Sequence, residues 1–295
     1  MMLYEGHMRF ILVTFITLVM VGMLLLMARI WGLGQVYPPF EHDFFQGNQP
    51  LIILKADTLD TVAAAVKAQP DVIIWADVRM SKDKVPYVLP RSEDVKFLEF
   101  KKEQQEKNPS TPIMMGGKLT DYPWEQINEF YKTTPALKEY YEQFPQTRFI
   151  LNVVDNVTDV HLDLVNALEG LKPDARTLIQ SEALIVITAI KDKKPEWVYG
   201  TSTPDLMRFL SFDSLWILPT TQFKGDVFIA PFTLMKRPAF NQDIIEEMRR
   251  RHKRIFLGPI ESKAQFDQAK SIEANGYITT DLAQLKSWLD QDPAQ

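Results

Sequence analysis

Residues 51–91 read LIILKADTLDTVAAAVKAQPDVIIWADVRMSKDKVPYVLPR. Two apolar runs, Leu51–Leu54 and Val72–Val78, flank a helical pattern over Leu59–Ala68. The second run, VIIWADV, is continuously apolar up to Asp77, where a half-buried strand would alternate. Such a run suits a parallel strand covered on both faces. The same unit recurs along the chain. Further strands are predicted at Arg148–Val154, Thr177–Gln180, Trp197–Gly200, Asp226–Ala230, Arg254–Leu257 and Gly276–Thr279. Helices with apolar residues three and four apart are predicted between them at Asp159–Glu169, Glu182–Ile190, Gln242–His252 and Lys263–Ala274. Eight βα steps over about 240 residues predict an α/β fold, a (β/α)8 TIM-type barrel. A doubly wound open sheet is the alternative. Residues 92–145 form a long excursion after the second strand, at the end of a barrel where sites are built. It reads equally as a lid and as a surface elaboration.

Ahead of the barrel, Phe10–Ala28 (FILVTFITLVMVGMLLLMA) carries no charge over nineteen positions. At 1.5 Å per residue this spans roughly 28 Å, close to the hydrocarbon thickness of a bilayer. A cleaved signal peptide is the competing reading, but Met27-Ala28-Arg29-Ile30-Trp31 offers no small-x-small cleavage site. The division is therefore an anchor (1–34), a Gly- and Pro-punctuated tether (35–50) and a barrel (51–290). A single transmembrane helix is expected to hold the protein in the membrane through residues 10–28. Arg9 and the α-amino group at one flank, against Arg29 at the other, lean the barrel towards the extracytoplasmic side.

The chain holds 33 Lys and Arg against 38 Asp and Glu, a net charge of -5, which argues against a nucleic-acid partner. Without the anchor the body carries 31 basic and 37 acidic residues, so charge alone would not fix it to an anionic leaflet. The absence of cysteine excludes disulfides, thiolate metal sites and a cysteine nucleophile. Four histidines are present: His7, His42, His161 and His252.

In this frame several segments resemble the glycerophosphodiester phosphodiesterase family of (β/α)8 enzymes. ADTLDTVAAAVKAQPDVIIWADVRMSKDKVPYVLPR (56–91) resembles the family segment from its ENT motif through I-E-x-D to V-V-x-H-D. GGKLTDYPWEQINEF (116–130) resembles its G-x-v-x-d-l-T-x-x-E-L stretch. PALKEYYEQFPQTRFILNVVDN (135–156) resembles its I-P-T-L-x-E-v-L and l-N-I-E-I-K. TLIQSEALIVI (177–187) and ANGYITTDLAQLKSWL (274–289) resemble its fourth strand and its closing G-I-I-T-D-x-P. Each motif alone is weak; the ordered series over residues 50–290 is specific.

The departures fall on the chemistry. The resemblance implies two histidines acting as general acid and base. Lys55-Ala56 stands at the first position and Pro90-Arg91 at the second. It also implies a Ca²⁺ or Mg²⁺ held by three carboxylates, the oxygen ligands hard cations require. Trp75, Asp77 and Val154 stand there, so one carboxylate of three remains. Asp155 is adjacent, but neighbouring strand residues face opposite ways. No cofactor is expected, with Ca²⁺ or Mg²⁺ required only if the protein is active.

Asp77 reads as a ligand remnant or, preferentially, as a carboxylate paired with Arg79 or Lys55. Lys55 stands in the first histidine segment, Pro90 in the second histidine's place and Arg91 in that of the adjoining aspartate, so two cations replace acid/base groups at the mouth. Together with Asp77 and Arg79 they are the candidate binding residues for a phosphorylated small molecule. His42 looks like a relay motif but lies in the tether; His161 and His252 fall on outer helices. Lys191–Lys194 reads as a solvated helix end, and Gly116-Gly117-Lys118 as a turn. The expected function is a membrane-anchored, non-hydrolytic relative of the family. A hydrolase of lipid head groups with a rearranged site, using carboxylates of the excursion, and a structural envelope protein are the alternatives.

Overall fold

The computed structural model describes residues 2–107, 117–132 and 134–291. Helix α1 (Met2–Leu33) leads to β1 (Leu51–Lys55), α2 (Leu59–Ala68), β2 (Ile73–Met80) and the hairpin strand β3 (Pro86–Val88). The excursion adds α3 (Asp94–Lys107), α4 (Trp124–Tyr131) and α5 (Leu137–Gln143). Three βα units follow: β4 (Arg148–Val153) with α6 (Val160–Ala167), β5 (Thr177–Gln180) with α7 (Leu184–Lys193), and β6 (Val198–Tyr199) with α8 (Thr203–Ser214). β7 (Val227–Ala230) is succeeded by a small hairpin, β8 (Thr233–Leu234) and β9 (Arg237–Pro238), before α9 (Gln242–Arg250). β10 (Arg254–Leu257), α10 (Lys263–Ser271), β11 (Gly276–Thr279) and α11 (Leu282–Gln291) complete the chain.

Eight strands pair in parallel in the order β6-β5-β4-β2-β1-β11-β10-β7, and β3 adds antiparallel to β2. An open sheet would leave β6 and β7 as bare edges. Here side chains bridge them. Thr201 Oγ1 donates to Val227 O at 3.1 Å and accepts the Ile229 N–H at 2.8 Å. The Asp226 N–H reaches Tyr199 O at 2.7 Å, and Asp226 Oδ2 accepts the Tyr199 N–H at 3.1 Å. The sheet is thereby closed into a barrel of the TIM type, and the doubly wound alternative falls. Lys191, read from the sequence as solvated, reinforces this seam: its Nζ lies 3.1 Å from Asp226 Oδ2. The carboxylate draws it in because Asp226 is nearly buried against β6.

Period-two alternation sorts each strand's residues into two layers. Ile53, Ile73, Trp75, Ile150, Leu178, Phe256 and Ile278 fill the barrel. Ile52, Leu54, Ile74, Ala76, Leu151 and Ile179 face the helices. The barrel floor comes from an unexpected source. The second half of the stretch read as a tether folds under the strands, burying Phe44 and Phe45 in the inner core. Open strand ends expose apolar side chains, and an aromatic pair covers them. Arg148 Nη1 donates to Phe44 O at 2.9 Å and the Arg254 guanidinium stacks 4.4 Å from the Phe45 ring. His42 is part of this plug. Its Nδ1 accepts the Phe44 N–H at 3.0 Å and its Nε2 sits 2.9 Å from Glu196 O, so it caps a turn at the end opposite the mouth.

The excursion packs Phe97, Leu119, Tyr122 and Ile127 against Tyr87 of β3 and the adjoining Leu89 in a separate small core. It is fixed over the C-terminal end of β2, and the Tyr140 hydroxyl ties α5 to Asp57 O at 2.7 Å. Residues 108–116, including Gly116, lie outside the described residues. Lys118 opens a turn whose Asp121 Oδ2 accepts its N–H at 3.1 Å. In α1, Phe10–Leu33 is apolar enough to cross a membrane, with a mean hydropathy of 2.8 and none of its most apolar stretch buried.

Candidate functional site

The C-terminal strand ends form the barrel mouth, and strand register decides which side chains meet there. Lys55 pairs with Trp75 across β1 and β2, Asp77 with Asn152 across β2 and β4, and Asn152 with Gln180 across β4 and β5. Positions paired in register share a face, so these polar residues form a belt at the top of the apolar interior. Trp75 Nε1 donates to Asp77 Oδ1 at 3.0 Å, and Asn152 Nδ2 donates to the same oxygen at 2.8 Å. The Lys55 ammonium lies 5.1 Å from the Trp75 ring centroid, within cation–π range. Gln180 turns towards the seam, donating to Thr201 O at 2.7 Å and accepting the Thr201 N–H at 3.1 Å.

Of the two partners considered for Asp77, Arg79 pairs elsewhere. Arg79 Nε donates to Asp155 Oδ2 at 3.1 Å, and this oxygen also accepts the Met80 N–H at 2.9 Å. The cause is register. Val78 stands opposite Val153, which carries Asp155, just beyond β4, alongside residues 79 and 80. Asp77 is held lower down by Trp75 and Asn152. Lys55, the other partner considered, engages the indole face. Of the four candidate residues, Lys55 and Asp77 thus share the mouth, while Arg79 is buried in an ion pair beside it. Arg91 opens a short helical turn, Arg91–Glu93; its side chain lies outside the described residues.

Asp57 was not among the candidates. It follows β1 in the loop that occupies the position of the family's ENT motif. Burial, followed by the negative charge of Asp77, pushes its carboxyl up from 3.8 to about 6; Lys55 opposes the shift and Glu93 adds to it. Glu93 comes from the start of the excursion, so the loop after β1 and the excursion face each other across the mouth. The available sequence signal was an acidic residue two positions after Lys55.

The three positions that the family resemblance marks for a metal are Trp75, Asp77 and Val154. An indole and an isopropyl group offer no hard oxygen donor. Trp75 also takes up the surviving carboxylate with its own N–H. Among the described residues no cluster of three or more His, Asp or Glu side chains is arranged to hold a metal. The residues present do not fit the divalent cation.

No protein-family model matches the sequence, and neither does any curated protein. The glycerophosphoryl diester phosphodiesterase domain of a Mycobacterium tuberculosis protein superposes with a TM-score of 0.61 at 13% identity, covering 81% of this chain and 99% of that one. A glycerophosphodiester phosphodiesterase of Thermotoga maritima gives 0.56 at 15%, covering 83% and 100%. An Oleispira antarctica phosphodiesterase, solved with its product sn-glycerol-3-phosphate, gives 0.58 at 14%, covering 82% and 97%. The chain has the glycerophosphodiester phosphodiesterase fold. At such identities the likeness concerns architecture, and what the barrel does rests on its own side chains.

Proposed function

We propose that this protein is a membrane-anchored barrel of the glycerophosphodiester phosphodiesterase fold that binds a phosphorylated ligand and does not carry out metal-dependent hydrolysis. One observation carries the reading: Trp75 stands at a carboxylate position of the implied metal site and donates its indole N–H to Asp77. Hydrolysis of a phosphodiester needs charge stabilisation at phosphorus and proton transfer to the leaving oxygen. Lys55-Ala56 and Pro90 stand where the family has imidazoles, so neither position offers a group to shuttle protons, while the Lys55 ammonium is suited to holding a phosphate. α1 supplies the anchor, and the Arg9 flank favours a barrel on the extracytoplasmic side.

A second reading is favoured by Asp57. A carboxyl titrating near 6 is in the range of a general acid, and Glu93 of the excursion lies close enough to influence it. This would be a hydrolase with a rearranged site. The full-length protein in detergent, given glycerophosphocholine with Ca²⁺ or Mg²⁺, is expected to show no turnover. A thermal shift with glycerol phosphate is expected and should vanish in Lys55→Ala. Turnover abolished by Asp57→Asn would replace the first reading with the second.

A further inference from the structure

The junction between α1 and the barrel is a packed joint. Gly32 fits against the backbone of Leu218–Thr220 so closely that a Cβ there would lie 2.5 Å from the Pro219 carbonyl carbon. Arg29 Nη1 donates to Trp216 O at 2.9 Å, and its guanidinium lies 4.3 Å from the Trp216 ring centroid. From α9, Arg250 donates to Gln35 O at 2.9 Å. Arg250 and Arg251 lie 5.3 and 5.1 Å from the Tyr37 ring. The segments that grip α1 follow the C-terminal ends of α8 and α9 and precede β7 and β10. They therefore belong to the N-terminal face of the barrel, opposite the mouth.

Beside this joint two large apolar side chains stand in the open, Leu215 at 52% and Trp216 at 56% exposure, and Trp31 of α1 is likewise open at 66%. Trp216 has φ 61°, a left-handed conformation uncommon for a bulky residue. Single exposed apolar residues are ordinary on soluble surfaces. These differ in being continuous with the end of an apolar span and in sharing an arginine with it. Tryptophan and arginine at the end of a span are the residues of a membrane–water interface.

We infer that Leu215 and Trp216 form a second membrane contact, entering the interfacial layer of the leaflet from which α1 emerges. The joint and this contact together hold the barrel with its N-terminal face on the bilayer and its mouth towards water. The inference rests on reading α1 as a membrane span. It deepens the proposed function, because a five-residue strand such as β1, tilted about 36° to the barrel axis, sets the mouth roughly 13 Å beyond the face that meets the lipid. The ligand then arrives from the aqueous phase: a water-soluble phosphorylated head group, and not a lipid drawn from the same bilayer.

The absence of cysteine makes the test direct. Single-cysteine variants Leu18→Cys, Leu215→Cys and Val95→Cys of the full chain are spin-labelled in phosphatidylcholine–phosphatidylglycerol nanodiscs. Collision with oxygen is then compared with collision with a water-soluble nickel chelate. The oxygen-to-nickel ratio is expected to be highest at 18, intermediate at 215 and lowest at 95, on the excursion. A ratio at 215 equal to that at 95, with 18 remaining lipid-exposed, overturns the second contact and leaves the anchor standing. A water-exposed label at 18 removes the anchor reading itself.

Discussion

Replacing Asp57 with Asn tests the electrostatics of the mouth quantitatively. The Asp57 carboxyl is raised from 3.8 to about 6, chiefly by burial and then by Asp77. A carboxyl whose folded value lies above its unfolded value favours the fold when protonated. Its contribution is complete below 3.8 and is lost as pH rises through about 6. At about 1.4 kcal/mol per pH unit, the span from 3.8 to about 6 sets a ceiling of about 3 kcal/mol. Asp57 is only part-buried, and solvent screening reduces this to about 1–2 kcal/mol. Asparagine keeps the shape, carries no charge and leaves the backbone carbonyl to Tyr140. Asp57→Asn should match the wild type near pH 4 and exceed it by about 1–2 kcal/mol at pH 7.5, which for a barrel of this size is roughly 3–6 °C in melting temperature. Thermal melts of the full chain in detergent at intervals between those pH values measure the difference directly. A difference that stays constant with pH, or a variant less stable at pH 7.5, would refute the assignment of a strained carboxylate.

The same carboxyl predicts how ligand binding depends on pH. Neutral Asp57 no longer repels an anion beside Lys55, so glycerol phosphate should shift the melting temperature more at pH 5.5 than at pH 8; equal shifts would place the ligand elsewhere. Thr201→Val removes the hydroxyl bridging Val227 O and the Ile229 N–H. Two buried backbone groups left unpaired should lower stability by about 2–4 kcal/mol in urea unfolding, and a loss below about 0.5 kcal/mol would show that other contacts close the seam. Asp77→Ala should behave as a structural variant. It strands the Trp75 indole N–H and the Asn152 amide, costing about 1–3 kcal/mol. Ca²⁺ should leave the melting temperature of both wild type and Asp77→Ala unchanged; stabilisation of the wild type alone would restore Asp77 as a metal ligand.

Much of the fold is legible along the chain because it is written in local patterns. The strands Thr177–Gln180, Arg254–Leu257 and Gly276–Thr279 and the helix Leu59–Ala68 lie where apolar runs and three-to-four spacing predict them. The residues at the positions the resemblance marks, Lys55, Trp75, Asp77, Pro90 and Val154, are legible too, since a residue type needs no geometry to be noticed. Partner choice is not local. Arg79 selects Asp155 over Asp77 because the β2–β4 register sets residues 79 and 80 alongside 155, and no pattern within either strand specifies that register. Phe44 and Phe45 read as part of a linker until the barrel gives them a floor to fill. Asp57 looked like one acidic residue among many. Burial and the approach of Asp77 and Glu93 from separate segments moved its titration. The sequence by itself determined the βα alternation, the apolar span and which residue types stand at the positions the resemblance marks, because these depend on residue type and periodicity; the closure of the sheet was left to the tertiary structure. Only the tertiary structure decided which charges neutralise each other, how α1 seats on the barrel and which carboxyl is strained, because each depends on distances between residues far apart in the chain.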